Sequence, residues 1–410
     1  MTKLRGLAGL VVCACLTGAA PVYADAVTFW NEITMREVTL KRPGPHGLLD
    51  AALVHAAVHD AVQAIEGRFE PYAYSDPTRL GIGSPAAAAA AAAHGTLVRL
   101  YPDRQGILDA DYGAYLAANN LAGDAGLATG EAAAGALHPA HYRPVIAMDP
   151  FFGGTAPGEW RSTVPMAFLY AAFSKPFTLN RTSQFRPEPP PPLTSITYAR
   201  DYDEVKALGS AAAHPNPQTD TARFWSVNFV TQWNDALRGV ADMHVADIGD
   251  SARLFALANL AAADAFMAVW DSKYHYNWWR PSTAIHEGDN DGNMWTIGDG
   301  SWLGLIADPP YPDYVSGANG LTGAFTRMLQ LFFGSDELVF SVKTTHPLVT
   351  NKERQYTRCS DAAQEVVDAR VLLGIHFRYA DEEGRRLGRR VAHWTFMNFL
   401  RPAAGSQSAR

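Results

Sequence analysis

Apolar positions recur at helical spacing through most of this chain. Across Gly47–Glu66, residues Leu49, Ala52, Leu53, Ala56, Ala57, Val62 and Ile65 fall on one stripe, which predicts a helix with one buried face. Ser84 and Pro85, followed by alanines from 86 to 93, predict a second helix with a capping hydroxyl and a proline in its first turn. Its alanine surface lets neighbouring helices approach closely. Helical patterns follow near 104–121 and 124–137, then return over 201–208, 219–241, 251–270 and 321–333. Residues 26–46 read as a short lead-in segment. No alternating run is long enough to predict a strand. The fold class expected is therefore all-α: one large domain of two packed helical bundles, 25–195 and 196–410.

The stretch 143–195 breaks the pattern. It carries Gly153-Gly154 and the proline run 186–192, and proline blocks helix and favours extended backbone. Phe151, Phe152, Trp160, Phe168 and Phe185 are interleaved with it. Aromatic side chains require burial, so the segment is expected to be a strap packed on the surface.

Composition narrows the picture. With 410 residues, 48% hydrophobic and 18% charged, the chain is globular. A formal net charge of -7 argues against broad nucleic-acid binding, so an anionic ligand needs a local cationic site. Residues 1–24 read as a signal peptide: Lys3 and Arg5, an apolar core over 7–16, and Val22-Tyr23-Ala24 at the cleavage site. The apolar run is too short to span a bilayer, and no second hydrophobic span is found. Cleavage removes two positive charges and leaves -7 - 2 = -9. It also removes Cys13 and Cys15, so Cys359 stands alone and the mature chain forms no internal disulfide. A periplasmic or secreted location is expected.

Several polar residues lie inside apolar runs. His55 and His59 have the spacing of a metal pair but lack a third ligand, which favours structural hydrogen bonding. Asp264, in Ala-Ala-Ala-Asp-Ala-Phe-Met-Ala, needs a buried partner, with an arginine as one candidate. The loop 287–293 has a calcium-loop composition, but Gly292 comes too early for that register, so a solvated turn is expected.

Three segments combine into candidate chemistry. Lys273 and Arg280 stand seven residues apart at the end of a probable helix, nearly two turns, so both can lie on one face. Ser316 and Gly317 run into the helix 321–333 and offer a hydroxyl and free amides to an anion. Arg370 precedes Gly374, where a helix is expected to end, and His376 follows on the turn. Together these supply three cations, a hydroxyl, a glycine N–H and one imidazole. An imidazole can attack phosphorus or ligate a metal oxyanion.

The motifs K-x6-R-P, S-G at a helix start and A-R-x3-G-x-H resemble those of the vanadium-dependent haloperoxidase and type 2 phosphatidic-acid-phosphatase superfamily. The segments around Trp279-Arg-Pro-Ser-Thr-Ala-Ile285, Pro-Gly-Glu-Trp-Arg161 and the proline run are similar to its soluble, exported haloperoxidase-like branch. The resemblance implies that Lys273, Arg280 and Arg370 bind the oxygens of vanadate or phosphate, and that Ser316 and Gly317 hydrogen-bond them. It implies that His376 is the axial vanadium ligand of a haloperoxidase or the nucleophile of a phosphatase, with Lys273 polarising bound peroxide. The cofactor is then vanadate for a haloperoxidase acting on hydrogen peroxide and halide, and none for a phosphatase acting on a phosphomonoester. One position departs from the family. Its P-S-G-H reads Val315-Ser316-Gly317-Ala318 here, so the acid–base histidine is missing. His275, His286, His346 and Asn319 are candidates to replace it, and a non-catalytic oxyanion-binding protein is the third reading.

Overall fold

The computed structural model describes residues 25–137 and 148–403. The signal-peptide reading, with Cys13 and Cys15, concerns residues outside this set. The chain starts with helix α1 (Ala26–Lys41), where the sequence pattern predicts only a lead-in. Asp25 caps it by accepting the Val27 amide at 2.5 Å. Trp30, Ile33 and Val38 are buried, and so are Asn31, Thr34 and Glu37. Burial on several sides erases the apolar–polar contrast on which a helical stripe depends.

Helices α2 (Gly47–Glu66), α3 (Pro85–Leu100), α4 (Gln105–Ala118) and α5 (Gly126–Ala136) follow the predicted pattern closely. Ser84 caps α3, its Oγ accepting the Ala87 amide at 3.4 Å. The alanine face of α3 takes α5 at very short range: a Cβ at Gly130 would stand 2.2 Å from the Ala88 carbonyl.

The second half contains α6 (Ile196–Leu208), α7 (Thr219–Phe224), α8 (Phe229–His244), α9 (Ile248–Tyr276), α10 (Pro281–His286) and α11 (Gly317–Phe333), then α12 (Cys359–Leu372) and α13 (Arg378–Asn398). The expected helix 219–241 is two helices. The chain breaks at 225–228 without glycine or proline, and Asn228 caps α8 through the Val230 amide at 3.0 Å. Between α11 and α12 lies an antiparallel hairpin, β1 (Glu337–Lys343) with β2 (Glu353–Arg358), which was not expected. Leu338, Phe340 and Val342 alternate inward on β1, a signal only three residues deep.

Helix α9 is the axis of the molecule. Every residue from 251 to 273 is buried. It packs on α2 at one side and on α11 and α13 at the other, and one hydrophobic cluster runs from Ala26 to Leu400.

The segment around the proline run is a packed strap. Trp160 donates its amide to Asn277 O, and Trp279 donates back to Gly158 O. The hydroxyls of Tyr276 and Tyr314 hold the carbonyls of Pro187 and Glu188. Asp264 is buried, as its apolar context requires, but its partner is not an arginine. It accepts the amides of Phe177, Thr178 and Leu179 and the Thr178 hydroxyl, at 2.6–3.0 Å. Asp60 on α2 does the same for the amides of Tyr72, Ala73 and Tyr74, at 2.6–2.8 Å. His55 and His59 bind separate protein partners, the Asn31 amide nitrogen and the Glu70 carbonyl. The 287–293 turn is less solvated than expected. Asp291 and Asn293 are buried, and Asp291 accepts the Asn293 amide and the Thr296 hydroxyl.

Removing the Asp264 carboxylate with Asp264→Ala strands three strap amides in the core and should cost on the order of 3–5 kcal/mol. Burial raises the Asp264 pKa to about 6, against the pull of its hydrogen bonds. A folded-state pKa above the unfolded value favours the fold while the group is protonated. That contribution is complete below about pH 4 and is lost as pH rises through 6, by roughly 3 kcal/mol for a shift of about two units. Asp264→Asn should therefore change stability differently at pH 4 and pH 7. Urea unfolding at both values tests this, and a pH-independent difference from wild type counts against it.

Candidate active site

Lys273 occupies the last turn of α9, which ends where Asn277 takes the left-handed conformation, φ 47°. Arg280 precedes Pro281, and the proline ring disfavours helical backbone in the residue before it. Arg280 is accordingly extended, φ -86° and ψ 157°, at the N-terminus of α10. The two cations therefore do not share one helix face, as their spacing suggests. A corner brings them together instead. Both lie against the Tyr311 ring, with Lys273 Nζ at 5.1 Å and the Arg280 guanidinium carbon at 5.0 Å from its centroid.

Both side chains are fully buried and held by backbone oxygens, and burial next to Arg280 pushes the Lys273 amine well below its ordinary pKa. Lys273 Nζ donates to Pro312 O at 2.5 Å and Asp313 O at 2.8 Å. Arg280 donates from Nε to Tyr311 O at 2.9 Å and from NH1 to Ile375 O at 2.6 Å, and its NH2 has no protein partner. Arg370, in the last turn of α12, donates from NH1 to Trp225 O at 3.1 Å, while its buried Nε is unpartnered. The break between α7 and α8 is what presents that carbonyl.

His376 follows the left-handed Gly374, φ 78°, and is buried. Its Nδ1 lies 2.5 Å from Asp313 Oδ1, and its Nε2 lies 3.4 Å from Arg280 NH1. Burial, then the neighbouring Arg280, Lys273 and Arg370, hold the imidazole pKa well below its ordinary range. Burial raises Asp313 to about 7, against the pull of Arg280 and Lys273. In the tautomer that carries its proton on Nδ1 and donates it to Asp313, Nε2 keeps its lone pair. Sequence reasoning missed Asp313. Its only signal is a carboxylate inside Tyr-Pro-Asp-Tyr, just before the Ser-Gly pair.

Helix α11 points its N-terminus at the same place. The Gly320 amide is bonded to Ser316 O at 3.0 Å, and the amides before it belong to the unsatisfied first turn. Gly317 and Ala318 line a cavity of about 190 Å³ with Trp270, Tyr311, Arg370 and His376. Ser316 is buried and is not among the lining residues. Its Oγ lies 3.4 Å from Asn319 Nδ2, which also donates to Asp381 Oδ1 at 2.8 Å. Asp381, a second buried carboxylate absent from the sequence-based set, has its pKa raised well above the ordinary value by burial.

None of the expected replacements for the missing histidine lines this cavity. His275 is exposed and packs edge-on to Tyr276. His286 bonds the Trp302 carbonyl at 2.7 Å, and His346 accepts the Leu348 amide at 3.2 Å. Asn319 is committed to Asp381.

The residues present fit a tetrahedral oxyanion. Two buried guanidinium nitrogens lack protein partners, and Gly317, Ala318, Arg370 and His376 line the cavity. A fixed cationic cradle of this kind favours an anion despite the chain's overall negative charge. Fold and site thus define an all-α protein in which, among the described residues, buried cationic side chains and one histidine gather beside a cavity.

Comparison with known proteins shows what this chain is similar to. Residues 253–405 match the family profile described as "VCPO second helical-bundle domain". The vanadium chloroperoxidase of Curvularia inaequalis is 26% identical over 200 residues, covering 40% of this chain and 32% of that protein. The match thus spans about a third of that relative's length. Among solved structures, a bacterial vanadium-dependent iodoperoxidase superposes with a TM-score of 0.76 at 22% identity, over 94% of this chain and 98% of that one. Apo and holo forms of a bacterial vanadium-dependent chloroperoxidase each give 0.68 at 18% identity, over 89% of this chain and 96% and 94% of theirs. The match over residues 253–405 is consistent with the vanadium haloperoxidase superfamily, and the fold is all-α, as in the solved vanadium haloperoxidase structures it superposes on.

Proposed function

We propose that this protein binds vanadate and oxidises halide with hydrogen peroxide. The observation that carries the reading is His376, a buried imidazole in the cavity lining beside Arg370, with Asp313 on its Nδ1 and Arg280 next to its Nε2. His376 Nε2 would ligate the vanadium. Gly317 and the α11 amides would hydrogen-bond the oxygens, and Arg370, Arg280 and Lys273 would balance their charge. Bound vanadate supplies the activation of hydrogen peroxide for two-electron oxidation of halide. The chain's own contribution is charge stabilisation in a water-poor pocket, where fixed donors act more strongly than in bulk water. Trp270, Phe229 and Leu321 contribute apolar wall. Tyr311 also lines the cavity and lies across Lys273 and Arg280.

Ala318 favours a second reading. It faces the cavity where the family carries its acid–base histidine, so an oxyanion-binding protein without turnover fits the same geometry. One experiment separates the readings. The purified chain is titrated with orthovanadate and assayed for bromide and iodide oxidation with peroxide. The vanadate-free protein is assayed on a phosphomonoester. Stoichiometric vanadate binding with halide oxidation is expected. Binding with neither activity leaves the non-catalytic reading, and phosphate release alone points to His376 as a nucleophile.

A further inference from the structure

A second cationic feature lies on α13, outside the site just described. A groove of about 770 Å³ is lined by Phe185, Arg327, Arg386, Arg389, Arg390, His393, Trp394, Met397 and Asn398. Four arginines thus converge on one groove in a chain of net charge -7. Their pairing is uneven. Arg386 is matched to Glu382 and Glu383 on its own helix. Arg327, Arg389 and Arg390 have no carboxylate within 4 Å among the described residues. Arg327 and Arg389 both donate to one neutral oxygen, Gln330 Oε1, at 3.2 Å. Asp336 attracts Arg389 only at longer range, and its oxygens already accept from Gln330, Ser360 and Arg358.

Apart from His393 and Asn398, the rest of the groove is apolar. Arg390 lies 4.9 Å from the Phe185 ring centroid, and Phe185 packs edge-on against Trp394 at 6.2 Å. The Trp394 indole is fixed by its Nε1–H donated to Thr178 O at 2.9 Å. Met397 is exposed beside it. Convergent guanidinium groups without counter-ions, on an aromatic floor, match a ligand with an anionic head and an aromatic or alkyl body. The volume suits a small molecule.

We propose that this groove is a binding site for a small amphiphilic organic anion, with Arg327, Arg389 and Arg390 on the head group and Phe185, Trp394 and Met397 on the body. The site is independent of the vanadate reading, because none of these residues lines the His376 cavity.

Calorimetry on the full chain tests the proposal with three probes: naphthalene-2-sulfonate, inorganic sulfate and the neutral 2-naphthalenemethanol. The sulfonate is expected to bind at one site, more weakly as ionic strength rises, and at least about tenfold more tightly than either other probe. The double variant Arg389→Gln, Arg390→Gln should lose that binding at a nearly unchanged melting temperature, since neither arginine removed is salt-bridged and Arg389 sits beside Arg327. Equal binding of sulfate, equal binding of the alcohol, or undiminished binding by the folded variant each overturns the proposal. So does sedimentation of the chain with phosphatidylglycerol vesicles without binding of the free sulfonate, which would make the groove a membrane contact. If the double variant melts early, the single variant Arg390→Gln, whose side chain only stacks on Phe185, decides in its place.

Discussion

Placing histidine at position 318 should raise the halide-oxidation turnover of the vanadate-loaded protein by about 10²–10⁴-fold, the usual contribution of a positioned general acid–base. Ala318 lies in the first turn of α11 and lines the cavity beside Gly317. The backbone that would carry the imidazole is therefore already aimed. Ala318→His removes none of the donors identified here, so vanadate affinity should stay close to that of wild type. Steady-state peroxide consumption together with a vanadate titration reads both quantities. An unchanged rate in a variant that still binds vanadate would show that proton transfer is not what this pocket lacks.

The second large effect concerns His376. His376→Ala should abolish halide oxidation and leave only weak, salt-sensitive vanadate binding to the cations. Among the described residues, nothing else lining the cavity offers an imidazole. Asp313→Ala should act more gently, lowering vanadate affinity about 10–100-fold, the range expected when the partner that orients a metal-ligating histidine is lost. Asp313 holds Nδ1 at 2.5 Å and lies 3.7 Å from Arg280 NH1, so its removal frees the ring and unbalances the neighbouring charge. Tight, catalytically competent binding by His376→Ala would place the ligand elsewhere. An Asp313→Ala variant with wild-type affinity would reduce that carboxylate to a packing role.

Much of this site was legible in the sequence because its residues sit at helix ends, where spacing reports geometry. Arg370 at the end of α12, Gly374 in the turn and His376 beyond it lie as the pattern predicts. So does the entry of Ser316 and Gly317 into α11. The corner after α9 was misread, because seven residues measure two turns only if the helix continues, and Pro281 and Asn277 stop it. Asp313 and Asp381 were invisible for another reason. Each acts on a partner 60 or more positions away, His376 and Asn319 respectively, and linear spacing carries no trace of such contacts. The Ser316 hydroxyl shows the converse. The residue's position follows the motif, while its hydroxyl is engaged by Asn319 and by Asp381 of α13. In the scaffold, α1 escaped notice because it is buried on several sides, and the β-hairpin because its inward signal is three residues long.

Asp60 and Asp264 have one more consequence, for the rates at which backbone hydrogens exchange with solvent. Irregular segments ordinarily exchange through small local openings, far faster than core helices. The amides at 72–74 and 177–179 donate instead to carboxylates rooted in the buried helices α2 and α9. Releasing those hydrogens requires pulling the segment off its helix and leaving a buried carboxylate bare. In deuterated buffer these six amides should therefore persist on the timescale of the α9 interior, as two slow islands in otherwise fast-exchanging connecting segments.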